Sequence, residues 1–451
     1  MINISMTKLS TKQSNNSAKS LAVKITPLSS PIHAKVFVPG SLSYTIRALA
    51  IASLVKGSVT ITNALKSDDT QTMVTILQTL GIGVEEKENV FIVHGNIHDV
   101  LEQSYEINVQ VSGRTARIIL AFLCIVPGIK IVNCHKTFEK RPIGDLVDGL
   151  RQLGAEITYL KQNGFLPVKI TSNRLSSGTI NIKGNISSQY ISALLLIAPA
   201  IGKLIIEVSG KQVSKPFIDI TTDVMKSFGV EVVNQEYKTY IVTDKQYINP
   251  LSYAVESDAT AASYFWAIAA ITKSTITVCH IDPFSKQGDI QYIRVLEQMG
   301  CKIEKNSEEK WIRVTGTEIL KGITVDMSDL PDVVPTLAVV AAFAKGTTHI
   351  TGLLHLKVKE SDRIEAPKNE LLKMGITAST TKKSLTIYGH NPKGTAITTY
   401  GDHRIAMAFA VAGAQISGME IMDANVVSKS FPDFWKKLED IGIKEEKHFY
   451  L

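Results

Sequence analysis

The chain has 451 residues, with 49 Lys and Arg against 42 Asp and Glu, a formal charge of +7. Apolar residues make up 44% and charged residues 20%, which fits a chain that buries a real core and excludes disorder, collagen and coiled coil as its main state. The mild surplus of charge is too diffuse for a dedicated nucleic-acid binder and suits a protein that handles small anions.

At about 100–200 residues per domain, the length leaves room for two to four domains. Residues 1–20 are polar and lack the apolar core of a signal peptide, so they read as a loose tail. Cys124, Cys134, Cys279 and Cys301 are widely spaced and form no CxxC pair, which predicts a reduced, cytoplasmic protein. The most apolar stretches, such as 186–206, are interrupted by Ser, Gln, Pro or charge and read as buried helices rather than membrane spans.

Along the chain one pattern recurs six times: an amphipathic helix end, a glycine, then a strand. The copies are LQTLGIGV, LRQLGAEI, MKSFGVEV, LEQMGCKI, LLKMGITA and LEDIGIKE. Their glycines, Gly81, Gly154, Gly229, Gly300, Gly375 and Gly442, lie between 67 and 75 residues apart. Each reads as a left-handed residue just past a helix end. Upstream stand Asp69, Asp145, Asp219, Asp289, Asp362 and Asp433, where a first-turn acid favours the helix dipole. Just before them are Lys66, Arg141, Lys215, Lys286, Lys359 and Lys429.

Each repeat also carries a more apolar helix, from SYTIRALAIASLVKG in the first to HRIAMAFAVAGAQISG in the last. Hydrophobic nearly all round, these helices should be buried. Strand-like runs such as SVTITNAL and STITVCHI follow most of them. The repeat is longer than the 20–45 residues usual for a solenoid coil, which favours two domains of three copies each.

The apolar helices open with polar residues: Ser43 in the first, Ser112 to Thr115 in the second, Ser187, Ser188 and Gln189 in the third. Asp258, Asp332 and Asp402 open the other three. Such helix starts offer free N–H groups to a phosphate or carboxylate, although capping explains most single Ser or Asp residues there. Asp362 and Asp402 read as caps. Arg47 sits one turn into the first helix, and Arg141, Arg363, Arg404 and Lys429 lie at other helix starts. Guanidinium forks suit carboxylates and phosphates. Asp332, Glu360 and His403 are the acid/base candidates among these cations. No motif for a metal, a nucleotide cofactor or a covalent nucleophile is present.

These blocks, including PGSLSYTIRAL, GNISSQYISALLL, VKESDRI and GDHRIAMAFAVAG, resemble the 5-enolpyruvylshikimate-3-phosphate synthase family over about Lys24 to Trp435. The resemblance implies an α/β fold, a two-domain inside-out α/β prism of six βαβαββ units, three per domain. It puts residues 39–256 in one domain and 21–38 plus 257–451 in the other, with the ligand cleft between them. It implies transfer of the enolpyruvyl group of phosphoenolpyruvate to the 5-hydroxyl of shikimate 3-phosphate by a monomer that needs no cofactor, metal, nucleic acid or membrane. Position by position it assigns Asp332, Glu360 and His403 to catalysis. Ser43, Arg47, Ser187, Ser188, Gln189, Ser214 and Lys359 fall to the acceptor. Arg141, Arg363, Arg404 and Lys429 fall to phosphoenolpyruvate, with Arg114 beside them.

The chain departs from the family pattern in the same place. Leu42 replaces the lysine that lies between the two ligands, and Arg114 replaces a glycine at the donor pocket. Ile46, Phe217 and His355 stand for the usual Asn, Tyr and Asn. Three functions are therefore open: the ordinary synthase with Arg114 compensating for Leu42, a member repurposed for a related cyclitol or sugar phosphate or for transfer of another group, and a non-catalytic binding homologue.

Overall fold

The computed structural model describes residues 20–172 and 174–450. The tail expected over 1–20 lies outside the described residues except for Ser20. That residue belongs instead to the strand Ser20–Thr26, where it pairs with Tyr450.

Among the described residues the strands form six four-stranded sheets of one design. In one of them, Ser104–Asn108 runs parallel to Ile129–Asn133, which pairs antiparallel with Val168–Ile170 and through it with Ile157–Tyr159. A parallel pair needs a crossover, and the helix Gly113–Leu123 supplies it. The helix Gly144–Gln152 then leads into the hairpin. This is the βαβαββ unit. At all six repeat glycines φ is positive, from 77° at Gly375 to 108° at Gly300, so the helix stops where a Cβ would be strained.

Three units are continuous in sequence and three are completed from afar. Ser252–Ala254 joins Val59–Thr62 in the first sheet, and His33–Phe37 joins Thr275–Cys279 in the fourth. Ser20–Thr26 lies between Met419–Ile421 and Lys444–Tyr450 in the sixth.

The six apolar helices pack in two groups of three. Leu42–Ala52, Gly113–Leu123 and Ser188–Ile201 form one. Ala259–Thr272, Val334–Ala342 and His403–Gly413 form the other. The buried apolar side chains divide the same way, into a cluster from Leu42 to Val255 and a second made of Val23 to Val38 with Ala259 to Ile443. Two closed clusters exclude a solenoid.

The chain passes between the lobes twice, and the two passes are hydrogen-bonded side by side. Ser41 N donates to Glu256 O at 2.7 Å and Asp258 N to Pro39 O at 2.8 Å. The Asp258 carboxylate accepts from Ala261 N at 2.8 Å and from Leu42 N at 3.2 Å. One carboxylate thus caps the helices that follow both passes.

Candidate active site

The first lobe offers hydroxyls and arginines at the starts of its buried helices. Ser187 caps Ser188–Ile201, its Oγ accepting from Gln189 N at 3.2 Å, and this turns Ser188 and Gln189 into the cleft between the lobes. Arg47 is held on four oxygens: Thr221 Oγ1 at 2.7 Å, Ser43 O at 2.8 Å, Phe217 O at 3.0 Å and Ser192 Oγ at 3.3 Å. Burial and the nearby Arg114 push its pKa down to about 9, which leaves it charged at neutral pH. Arg141 lies against Gly113, where a Cβ would fall 2.6 Å from its guanidinium nitrogens, and its guanidinium sits 5.0 Å from the centre of the Phe138 ring.

The second lobe offers carboxylates, each saturated by cations. Asp332 follows Pro331 in the 3₁₀ turn Pro331–Val333 that leads into Val334–Ala342. Its Oδ1 accepts from Arg363 at 2.9 Å, and its Oδ2 from Arg114 at 2.8 Å and Arg404 at 3.3 Å. Glu360 accepts from Arg141 at 3.1 Å, Lys429 at 3.3 Å and Arg363 at 2.9 Å. Asp402 caps Arg404 N at 2.9 Å, as the sequence suggests, and also takes both arms of Arg363 at 2.8 and 3.0 Å.

Burial alone would raise the pKa of Asp332, but Arg404, Arg114, Arg363 and Lys359 outweigh it and hold the carboxyl far below its usual range. Glu360 is likewise held ionised against its burial by Arg141, Lys429 and Arg363. His403 is the opposite case. Burial, then Arg404 and Lys429, keep it neutral, and neither ring nitrogen has a hydrogen-bond partner. Burial lowers Lys359 to about 8.

Eleven of the sequence candidates line one cavity: Arg47, Arg114, Arg141, Ser188, Gln189, Asp332, Lys359, Glu360, Arg363, His403 and Arg404. Lys429 joins through Glu360, but it closes the 3₁₀ turn Ala424–Lys429 rather than opening a helix. Ser43 lines a smaller cavity that shares Phe217 and Arg404 with the first. Ser187 serves as the cap described above. Ser214 lies at a contact between the lobes, its N donating to Ser328 O at 3.3 Å. Leu42 is buried in the apolar cluster of its lobe and does not line the cavity, so no cation replaces it from that position.

Asp69 was not foreseen as part of the site. Its first-turn place in Asp68–Thr79 reads as dipole compensation, yet it lines the cavity, one of its oxygens is unpartnered, and burial raises its pKa. Six basic and three acidic side chains line the cavity, which leaves a positive site. Its free space of about 30 Å³ holds a water or two, not two metabolites. Substrates must therefore open the lobes or displace side chains. Among the described residues no group of His, Cys, Asp and Glu is arranged to hold a metal ion, and no helix is long and apolar enough to cross a membrane.

The family model for EPSP synthase (3-phosphoshikimate 1-carboxyvinyltransferase) matches residues 27–438. A 3-phosphoshikimate 1-carboxyvinyltransferase from Vibrio vulnificus is 40% identical over 420 residues, 91% of this chain and 97% of that one. One from Marinomonas sp. is 39% identical over 426 residues, 93% and 99% of the two chains. Among solved structures, EPSP synthase from Acinetobacter baumannii superposes with a TM-score of 0.79 at 26% identity, covering 95% of this chain and 100% of the other. The chain has the two-domain enolpyruvyl transferase fold and belongs to the EPSP synthase family, whose members are 3-phosphoshikimate 1-carboxyvinyltransferases.

Proposed function

We propose that this protein transfers the enolpyruvyl group of phosphoenolpyruvate to the 5-hydroxyl of shikimate 3-phosphate and releases inorganic phosphate. The observation that carries this reading is the meeting of Asp332 and Glu360 with cations from both lobes in one cavity. Two polyanions are to be joined, so positioning and a fixed positive field supply most of the catalysis.

Asp332 takes the hydroxyl proton as the acceptor oxygen bonds to the donor's C2. A proton delivered to the methylene completes the addition. Loss of a methyl proton with departure of phosphate restores the vinyl group. Proton exchange with the donor carbons falls to Glu360, ionised here, and His403, neutral here. Ser43, Arg47, Ser187, Ser188, Gln189, Ser214 and Lys359 bind the acceptor. Arg141, Arg363, Arg404, Lys429 and Arg114 bind the donor.

Residues 39–256 and residues 21–38 plus 257–451 act as two domains that open and close about the paired passes near Val38 and Glu256. One chain supplies both faces of the cavity, which supports a monomer. Four free cysteines support a reducing, cytoplasmic setting. The test is phosphate release from phosphoenolpyruvate plus shikimate 3-phosphate. Release by the wild type and its loss in Asp332→Asn support the reading; no release from folded wild type at high enzyme concentration defeats it.

A further inference from the structure

Of the three guanidiniums on Asp332, two are fixed and one is not. Arg363 has a side chain only 2% exposed and is also tied to Asp402 and Glu360. Arg404 lies on the same lobe as Asp332 and donates to Tyr264 Oη at 3.2 Å. Arg114 reaches over from the other lobe, its side chain is 15% exposed, and its one hydrogen bond among the described residues is to Asp332. Beside it in the cavity lie Arg47, Asp69 and the Phe217 ring, the last 5.8 Å from the guanidinium carbon.

A carboxylate with both oxygens engaged by three guanidiniums is a poor base, because every donor favours its ionised form. The arginine that can leave is also the one beside the donor cations. We propose that Arg114 masks the base: it occupies Asp332 until the anionic donor draws it away, so that Asp332 can accept the acceptor's hydroxyl proton only once the donor is bound. This rests on the function proposed above and adds an order to it. As the acceptor O–H bond breaks, its proton goes to Asp332 Oδ2, the oxygen Arg114 has vacated, and its electron pair forms the bond to the donor carbon.

The other titratable groups facing Asp332 are Arg363, Arg404, Lys359, Asp289, His355 and Tyr264, and none of them reaches it from the lobe that carries Arg114.

Equilibrium binding of phosphoenolpyruvate by calorimetry tests the mask without any turnover. Asp332→Asn should bind the donor several-fold more tightly than wild type, since Arg114 no longer has to be pulled from a carboxylate. That gain should vanish in the Arg114→Gln background, which separates Arg114 from the other two arginines. Donor binding by Asp332→Asn no tighter than wild type overturns the proposal, as does a gain that persists without Arg114. Arg114→Met, equally uncharged, serves if the Gln variant does not fold.

Turnover adds a second readout. In Arg114→Gln the acid limb of kcat/KM for the donor should move to higher pH while the acid limb of kcat stays in place, because Arg114 has already left Asp332 in the bound complex. Both limbs moving together, or neither moving, contradicts the mask. Wild type that releases no phosphate defeats the function proposed above, whereas the binding comparison decides the mask by itself.

Discussion

Arg47 and Arg114 belong to the same lobe and show two ways of keeping a cation in a cleft. Arg47 rests on uncharged oxygens, two hydroxyls and two carbonyls, all within its own lobe. Its charge is held in place and left unspent. Arg114 spends its charge on a carboxylate of the opposite lobe. The first arrangement is a preorganised seat for an anion. The second is a contact that a ligand must break. Under the proposed function, the face around Arg47 is laid out for the acceptor once the cavity opens, whereas the donor face is closed by the protein's own ion pairs.

The sharpest way to break that contrast is at Asp332. Asp332→Asn removes the proton acceptor and should lower kcat by about two to four decades, read as phosphate release. A loss below tenfold would place the base elsewhere. Arg363→Met comes next. It leaves Asp332, Glu360 and Asp402 buried without their shared cation, and about 3–5 kcal/mol of stability should go in a denaturant titration. A stability loss under about 1 kcal/mol would mean that the network is solvated.

Leu42→Ala tests whether Leu42 is a packing residue in place of a working one. It should cost about 2–5 kcal/mol of stability, with little change in the KM for phosphoenolpyruvate; a large rise in that KM with stability intact would give Leu42 a part in the site. The smallest expected effect is a shift in pH. Lys359 is charged below about 8 and neutral above it. Anion binding that uses it is complete at lower pH and fades as pH rises through that value. Lys359→Arg should carry this alkaline limb upward, since Arg stays charged; an unmoved limb would mean that Lys359 does not hold the ligand.

Much of this was legible in the sequence because local chemistry dictated it. The six glycines end helices in a conformation that disfavours a side chain, so they repeat visibly. The apolar helices had to be buried, and the cations at their starts were conspicuous beside them. What escaped is what distant segments settle. Ser252–Ala254 is too short for any strand period, and the partner it completes lies at Val59–Thr62. Asp69 reads as an ordinary first-turn acid until packing shows it walled into the cavity. The Arg114–Asp332 pair spans 218 residues of sequence and both lobes, and no spacing rule reaches that far. Leu42 was conspicuous as a departure, yet only packing shows that it belongs to the core rather than to the cavity.

If the two faces hold two different anions, a crossed kinetic experiment separates them. KM for each substrate should be measured by phosphate release in Arg47→Lys and Arg141→Lys. The shikimate 3-phosphate KM alone should rise about tenfold, roughly 1.4 kcal/mol, in the first variant, and the phosphoenolpyruvate KM alone by as much in the second. Both variants raising the same KM would contradict that division.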